Sequence, residues 1–183
     1  MKKLRNIWVI SIIMLILISA TAFADDVDSK TLNLGDTITD FDITAVVTLK
    51  KATKWTKMSF DRDIKGKSKL AAMIFTKLDC PPCATEMEFL AKLSKDYDDL
   101  KLYAFEIDIY GYKAIPPTNA FLNKNNLSYW FLDRDFKLFY DFDFIFVPSL
   151  VIIDEAGKIV YKKSGFLPGE DEAAITKVVK DAL

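Results

Sequence analysis

The sequence contains two thiols, and they stand three positions apart in Cys80-Pro81-Pro82-Cys83. A pair this close can form a small disulfide ring, which adds little stability because a short loop barely restricts the unfolded chain. A structural bridge gains more by joining distant segments. The spacing instead suits exchange: one thiolate attacks a foreign disulfide, and its neighbour resolves the mixed disulfide that forms. Among 183 residues there is no histidine. That excludes Ser-His-Asp and Cys-His nucleophile pairs, imidazole-ligated metal and haem, and the commonest neutral-pH base. Ala84 follows Cys83, so the C-x-x-C-H haem attachment motif is missing too. Two cysteines alone leave a zinc site two ligands short. The expectation is therefore no metal and no organic cofactor, with the Cys80–Cys83 disulfide itself as the redox group.

The surrounding residues assign the two roles. Read as a helix start, Cys80 is the N-cap, Pro81 is N1 and Pro82 is N2. Neither proline has an N–H, so the Cys83 amide at N3 is the nearest regular donor to the Cys80 sulfur. The positive end of the helix favours a thiolate there, which makes Cys80 the attacker. Cys83, one turn further in, is the resolver. At about 100° per residue, Cys83, Glu86, Met87, Leu90, Leu93 and Tyr97 share an arc of roughly 120°. Glu86 is thus an acid among core residues, where burial raises its proton affinity toward neutrality and lets it serve Cys83. Asp79 sets a negative charge beside Cys80, partly offset by Lys77, and is expected to make the pair more reducing.

Several elements must position these groups. Residues 1–24 read as a signal peptide: Lys2, Lys3 and Arg5, an apolar run over 7–20, then Ala22-Phe23-Ala24 as the cleavage pattern. An uncleaved membrane anchor at 7–20 is the alternative, and either places the domain at 25–183 in the periplasm or otherwise outside the cytoplasm. Without residues 1–24 the charge is 22 basic minus 26 acidic residues, or −4, which argues against nucleic acid. Strands are expected over 40–49, 70–75, 100–109, 129–132, 149–153 and 158–163. Residues 50–69 read as a polar connection. Helices are expected over 81–98, from Pro116-Pro117 to about Asn125, and over 170–183 with Ala174, Ile175, Val178 and Val179 inward. This order describes an α/β fold with a central mixed β-sheet flanked by helices. An aromatic stretch from Tyr129 to Phe146 reads mainly as core, with Phe144 and Phe146 as groove candidates beside Pro148. Asp141 and Asp143 keep one face of it wet, and Pro148 stands where a strand can begin.

Taken together, these residues resemble the thioredoxin-like TlpA/ResA group of exported thiol–disulfide oxidoreductases. The resemblance runs from about Leu32 to the C-terminus. It rests on Gly66-Lys67 and Phe75 around the central strand, the Cys-x-x-Cys, Glu86, Val147-Pro148-Ser149 and Gly157. It implies a thioredoxin-like fold with an N-terminal strand extension, and a cis Pro148 packed beside the disulfide. It also implies substrate binding by the Val147 backbone, beside the groove candidate Phe146, and thiol proton transfer by Glu86. Thr76-Lys77-Leu78-Asp79 departs from the family's usual Trp-Ala-x-Trp, and Ile74 stands where cytoplasmic thioredoxins have a buried Asp. The implied activity is reduction of protein disulfides, apocytochrome c among the candidates, by a monomer drawing electrons from a thiol-reducing membrane donor. A disulfide-donating oxidase and a non-catalytic binding protein of the same fold are the alternatives.

Overall fold

Six consecutive apolar residues at 70–75 can be hidden only if both faces of the strand they form are covered. The computed structural model, which describes residues 31–49, 52–107, 117–133 and 136–183, puts that strand near the middle of a mixed sheet. The described residues belong to the unit Thr31–Leu183, and the leader expected over 1–24 lies outside them. In chain order the strands are β1 (Asp42–Leu49), β2 (Ala52–Ser59), β3 (Leu70–Thr76), β4 (Leu100–Glu106), β5 (Leu127–Leu132), β6 (Ser149–Asp154) and β7 (Ile159–Ser164). Across the sheet they lie in the order β2-β1-β5-β4-β3-β6-β7. β3, β4 and β5 are parallel, while β6 runs antiparallel to β3 and continues into the β6–β7 hairpin. The helices are α1 (Phe60–Asp63), α2 (Pro81–Asp96), α3 (Asn119–Lys124), α4 (Lys137–Asp141) and α5 (Glu170–Ala182). This is the α/β mixed-sheet class expected from the sequence.

Alternation along the strands divides the core between the two faces of the sheet. Met73, Phe75, Phe105 and Phe131 point to one side, where α4 and the aromatic stretch cover them. Ala72, Ile74, Leu102 and Trp130 point to the other, beneath Met87, Leu90 and Leu93 of α2 and Ile175 and Val179 of α5. All seven residues of β3 are buried.

Several expectations are corrected. The polar stretch 50–69 contains β2, paired antiparallel along the whole of β1, and the one-turn helix α1. β2 is an edge strand, and an edge strand can carry an exposed lysine such as Lys57 that a central strand cannot. α3 begins at Thr118, whose side chain accepts from the Phe121 N–H at 3.2 Å, and not at Pro117. Within α5, Ala174 is exposed and Val178 half-buried; the buried stripe is Asp171, Ile175 and Val179. α4 was hidden in the aromatic stretch. Asp133 starts it by accepting the Phe139 N–H at 3.0 Å, and Phe136 enters it at φ 53°. Residues 108–116, which include the end of one expected strand, lie outside the described residues.

Phe75 is the hub of the aromatic side. Its ring centroid lies 5.2 Å from Phe105, 6.0 Å from Phe139, 5.5 Å from Phe142 and 5.3 Å from Phe144. Replacing it with Ala leaves a cavity expected to cost about 3–5 kcal/mol, against the roughly 5–15 kcal/mol that holds a domain together. Urea unfolding of the oxidised Phe75→Ala protein checks this; a loss under about 1 kcal/mol would contradict the packing.

Candidate active site

The end of β3 feeds directly into the thiol pair. β3 stops at Thr76, and α2 begins with Cys80 as its N-cap at φ −119° and ψ 102°. Pro81 and Pro82 fill N1 and N2, and the Cys83 N–H donates to the Cys80 Sγ at 3.3 Å. This is the arrangement the proline pair predicts. The two sulfurs are joined as a disulfide. Cys80 is half-buried at the surface, whereas Cys83 is fully buried on the inner face of α2. Asp79 is exposed, so water screens its charge from Cys80.

One turn beyond Cys83, Glu86 is 1 % exposed, and its Oε2 has no hydrogen-bond partner among the described residues. Burial, reinforced by the negative charge of Asp171, pushes its pKa up to about 8. At neutral pH the carboxyl is predominantly a neutral acid, one helical turn from the buried Cys83 sulfur.

The β3–β6 register pairs Phe75 with Ser149, so the peptide before β6 lies beside the end of β3 from which the thiol loop departs. That peptide, Val147–Pro148, is cis, as the resemblance implies. The loop is held by the Gly165 N–H donating to the Pro148 carbonyl at 2.7 Å and the Ser149 hydroxyl donating to the Phe146 carbonyl at 2.8 Å. Phe146 is half exposed and lies on Gly165. A Cβ added there would sit 3.3 Å from the ring, and the φ of +78° also favours glycine. Phe144 is different. It is 2 % exposed, packed on Phe75 and topped by the Lys162 ammonium at 5.7 Å, so it belongs to the core and not to a groove.

The sequence reading missed Asp171. This acid, 2 % exposed, pairs with Lys163 of β7 and accepts the Leu167 N–H at 2.6 Å. Its signal was the four-residue spacing to Ile175 and Val179, which puts an acid on an apolar stripe just as at Glu86.

A family model described as Redoxin matches residues 33–179. The chain belongs to the redoxin family. No curated protein matches the sequence. A protein assigned as thiol:disulfide interchange protein DsbE from Chlorobium tepidum superposes with a TM-score of 0.62 at 19% identity, covering 82% of this chain and 98% of its own. A protein assigned as a disulfide isomerase from Bacteroides thetaiotaomicron gives 0.58 at 23% identity, over 83% and 91%. The exposed lipoprotein thioredoxin of Streptococcus pneumoniae gives 0.54 at 22% identity, over 78% and 99%. At these identities the structures speak for the fold, which is thioredoxin-like. Family and fold together make this redoxin a thiol–disulfide oxidoreductase.

The neutral Glu86 has a consequence for stability. Its pKa rises from 4.5 in the free group to about 8 in the folded protein, so between those values the folded state binds more protons than the unfolded one. The Glu86 contribution is fully present below pH 4.5 and is lost as pH rises through about 8. Melting the oxidised protein across that range should show this decline, and Glu86→Gln, which carries no titrating proton, should flatten it. Parallel curves for the two proteins would contradict a neutral, buried Glu86.

Proposed function

We propose that this redoxin is a reductase of protein disulfides acting outside the cytoplasm, with Cys80 as attacker, Cys83 as resolver and Glu86 as the proton carrier between them. The observation that carries the reading is the asymmetry of the pair: one sulfur at the surface on a helix N-terminus, the other buried one turn from an acid whose Oε2 meets no donor among the described residues.

In the dithiol state the Cys80 thiolate attacks a substrate disulfide. A mixed disulfide forms, and one substrate sulfur leaves as thiolate and takes a proton from water. Glu86, once it has lost its own proton to water, accepts the proton of Cys83, and the Cys83 thiolate attacks the Cys80 sulfur. That closes the Cys80–Cys83 disulfide and expels the second substrate sulfur as a thiolate, which takes a proton from water. Two electrons have moved from the protein to the substrate. A donor dithiol then reverses the sequence on Cys80, and Cys83 leaves with the proton returned by Glu86. The cis Val147–Pro148 loop holds the substrate backbone, and Phe146 offers an apolar ring beside it.

The local charges support electron donation. A strongly oxidising pair stabilises its thiolate, whereas the groups around Cys83 are acids that favour the disulfide. The leader read over residues 1–24 supports a place outside the cytoplasm, in the periplasm of a two-membrane cell, and the family resemblance supports a thiol-reducing membrane partner as donor. Apocytochrome c is the substrate candidate that the same resemblance supplies. Among the described residues no helix is long and apolar enough to cross a membrane.

Equilibration against dithiothreitol should give a potential between about −270 and −200 mV, and a value above about −150 mV would overturn the direction of electron flow. A Cys83→Ser protein should retain substrates as adducts on Cys80 that reductant releases, while Cys80→Ser retains none. Recovery of no adduct from Cys83→Ser cells would overturn polypeptide exchange.

A further inference from the structure

Two carboxyls, Glu86 and Asp171, are buried on the same side of the sheet, and they are treated in opposite ways. α2 and α5 pack into one apolar cluster through Met87, Leu90, Ile175 and Val179, and Phe89 of α2 stacks on Phe166 just before α5, with ring centroids 5.9 Å apart. Glu86 enters that cluster with an oxygen that no donor meets. Asp171 enters it with donors on both oxygens: Lys163 on Oδ1 and the Leu167 N–H on Oδ2. It also occupies the first turn of α5, where the helix dipole favours negative charge. When two acids share a low-dielectric space, the one with donors keeps the charge and the other gives it up.

The groups around Glu86 are few. Cys83 lies on the same face of its own helix, Tyr161 approaches from β7, and Asp171, which holds Lys163 of β7, from α5. β3 and β6 bring Ile74, Leu150 and Ile152 to this side, with the buried Thr76 hydroxyl at the end of β3 and Asp154 at the far end of β6. Tyr161 is held up at about 12 by burial, then by Asp171 and Glu86, so it stays protonated and cannot replace the acid. Asp171 is the charged group among the described residues whose field reaches Glu86, and Lys163 is its counter-ion.

We infer that the Lys163–Asp171 pair is a remote part of the redox centre, a positioning element that sets the protonation state in which Glu86 meets Cys83. It touches neither sulfur nor substrate. Its carboxylate makes Glu86 a stronger base than burial alone would, which brings the acid close to the about 8.5 of an ordinary thiol. The higher proton affinity brings Glu86 nearer to the buried thiol it serves, as a shuttle that returns its proton every cycle requires. Lys163 limits the effect, since its ammonium offsets part of the Asp171 field. The inference rests on the oxidoreductase reading and adds to it a residue pair outside the Cys-x-x-Cys helix.

Two readouts on the full chain test it: the carboxyl titration of Glu86 by carbon-13 NMR in the oxidised protein, and the pH dependence of single-turnover resolution of a Cys80 mixed disulfide. Asp171→Asn keeps the size of the side chain and an acceptor for the Leu167 N–H. It should move both midpoints down by about one pH unit. Lys163→Gln should move both up, so the two variants shift in opposite directions even if one is partly destabilised. Glu170→Gln, exposed on the same helical turn, is the control and should shift neither. If Asp171→Asn lowers the melting temperature but leaves both midpoints at wild-type values, Asp171 is merely structural and the inference is overturned, while the oxidoreductase reading stands. If the wild type exchanges no disulfide at all, that reading fails and the inference falls with it.

Discussion

Burial of β3 on both faces is the constraint from which the rest follows. A strand with seven hidden residues needs a hydrogen-bonded neighbour on each edge and an apolar layer above and below. β4 and β6 supply the edges, α2 and α5 one layer, and the aromatic stretch with α4 the other. Because β4 is parallel to β3, the chain must cross from one end of the sheet to the other between them, and α2 makes that crossing. The start of α2 is thereby forced to the C-terminal end of β3. Because β6 is antiparallel to β3, its first residue is brought to the same end. The reactive helix terminus and the Val147–Pro148 loop meet there as a result of strand direction alone, before any side chain is chosen.

On that frame the site is made by placing acids where the core would ordinarily refuse them. A buried carboxylate without donors costs several kcal/mol to keep charged, so the group takes up a proton instead. Glu86 does so. Asp171 avoids the cost with a lysine, a backbone N–H and a helix terminus. The same α2–α5 layer thus holds one neutral and one charged carboxyl, and the difference lies wholly in the donors each one meets. Shielding from water strengthens the interaction between them, since little solvent lies between to screen it.

Much of this was legible in the sequence because it is periodic or local. The arc through Cys83, Glu86, Met87 and Leu90 repeats at the helical spacing, and the proline pair fixes the helix start by subtraction of donors. The unbroken run of β3 could only be a buried strand. What escaped depends on neighbours distant in the chain. β2 is polar because it is an edge, and nothing in residues 50–69 announces that β1 will pair with them. Phe144 and Phe146 are chemically identical and two positions apart. One faces the Phe75 cluster and the other rests on Gly165, nineteen residues on, a choice made by β7 and its following turn. Asp171 carried a readable pattern, but its counter-ion Lys163 lies on a different element.

The two prolines bear on how well the Cys80 thiolate is held as well as on helix initiation. An ordinary helix start offers a capping sulfur the N–H groups of N2 and N3, and the dipole acts partly through these donors. Here N2 is Pro82, so the Cys80 sulfur receives the Cys83 N–H at 3.3 Å and no second donor from that turn. A thiolate with one donor is less stabilised than a thiolate with two. At the other sulfur, Cys83 leaves into a layer that contains a neutral acid and beyond it a negative one, which again offers a thiolate little support. Neither thiolate thus receives the full support that an ordinary helix start or a buried cation would give it. Helix geometry at one end and buried charge at the other push in the same direction.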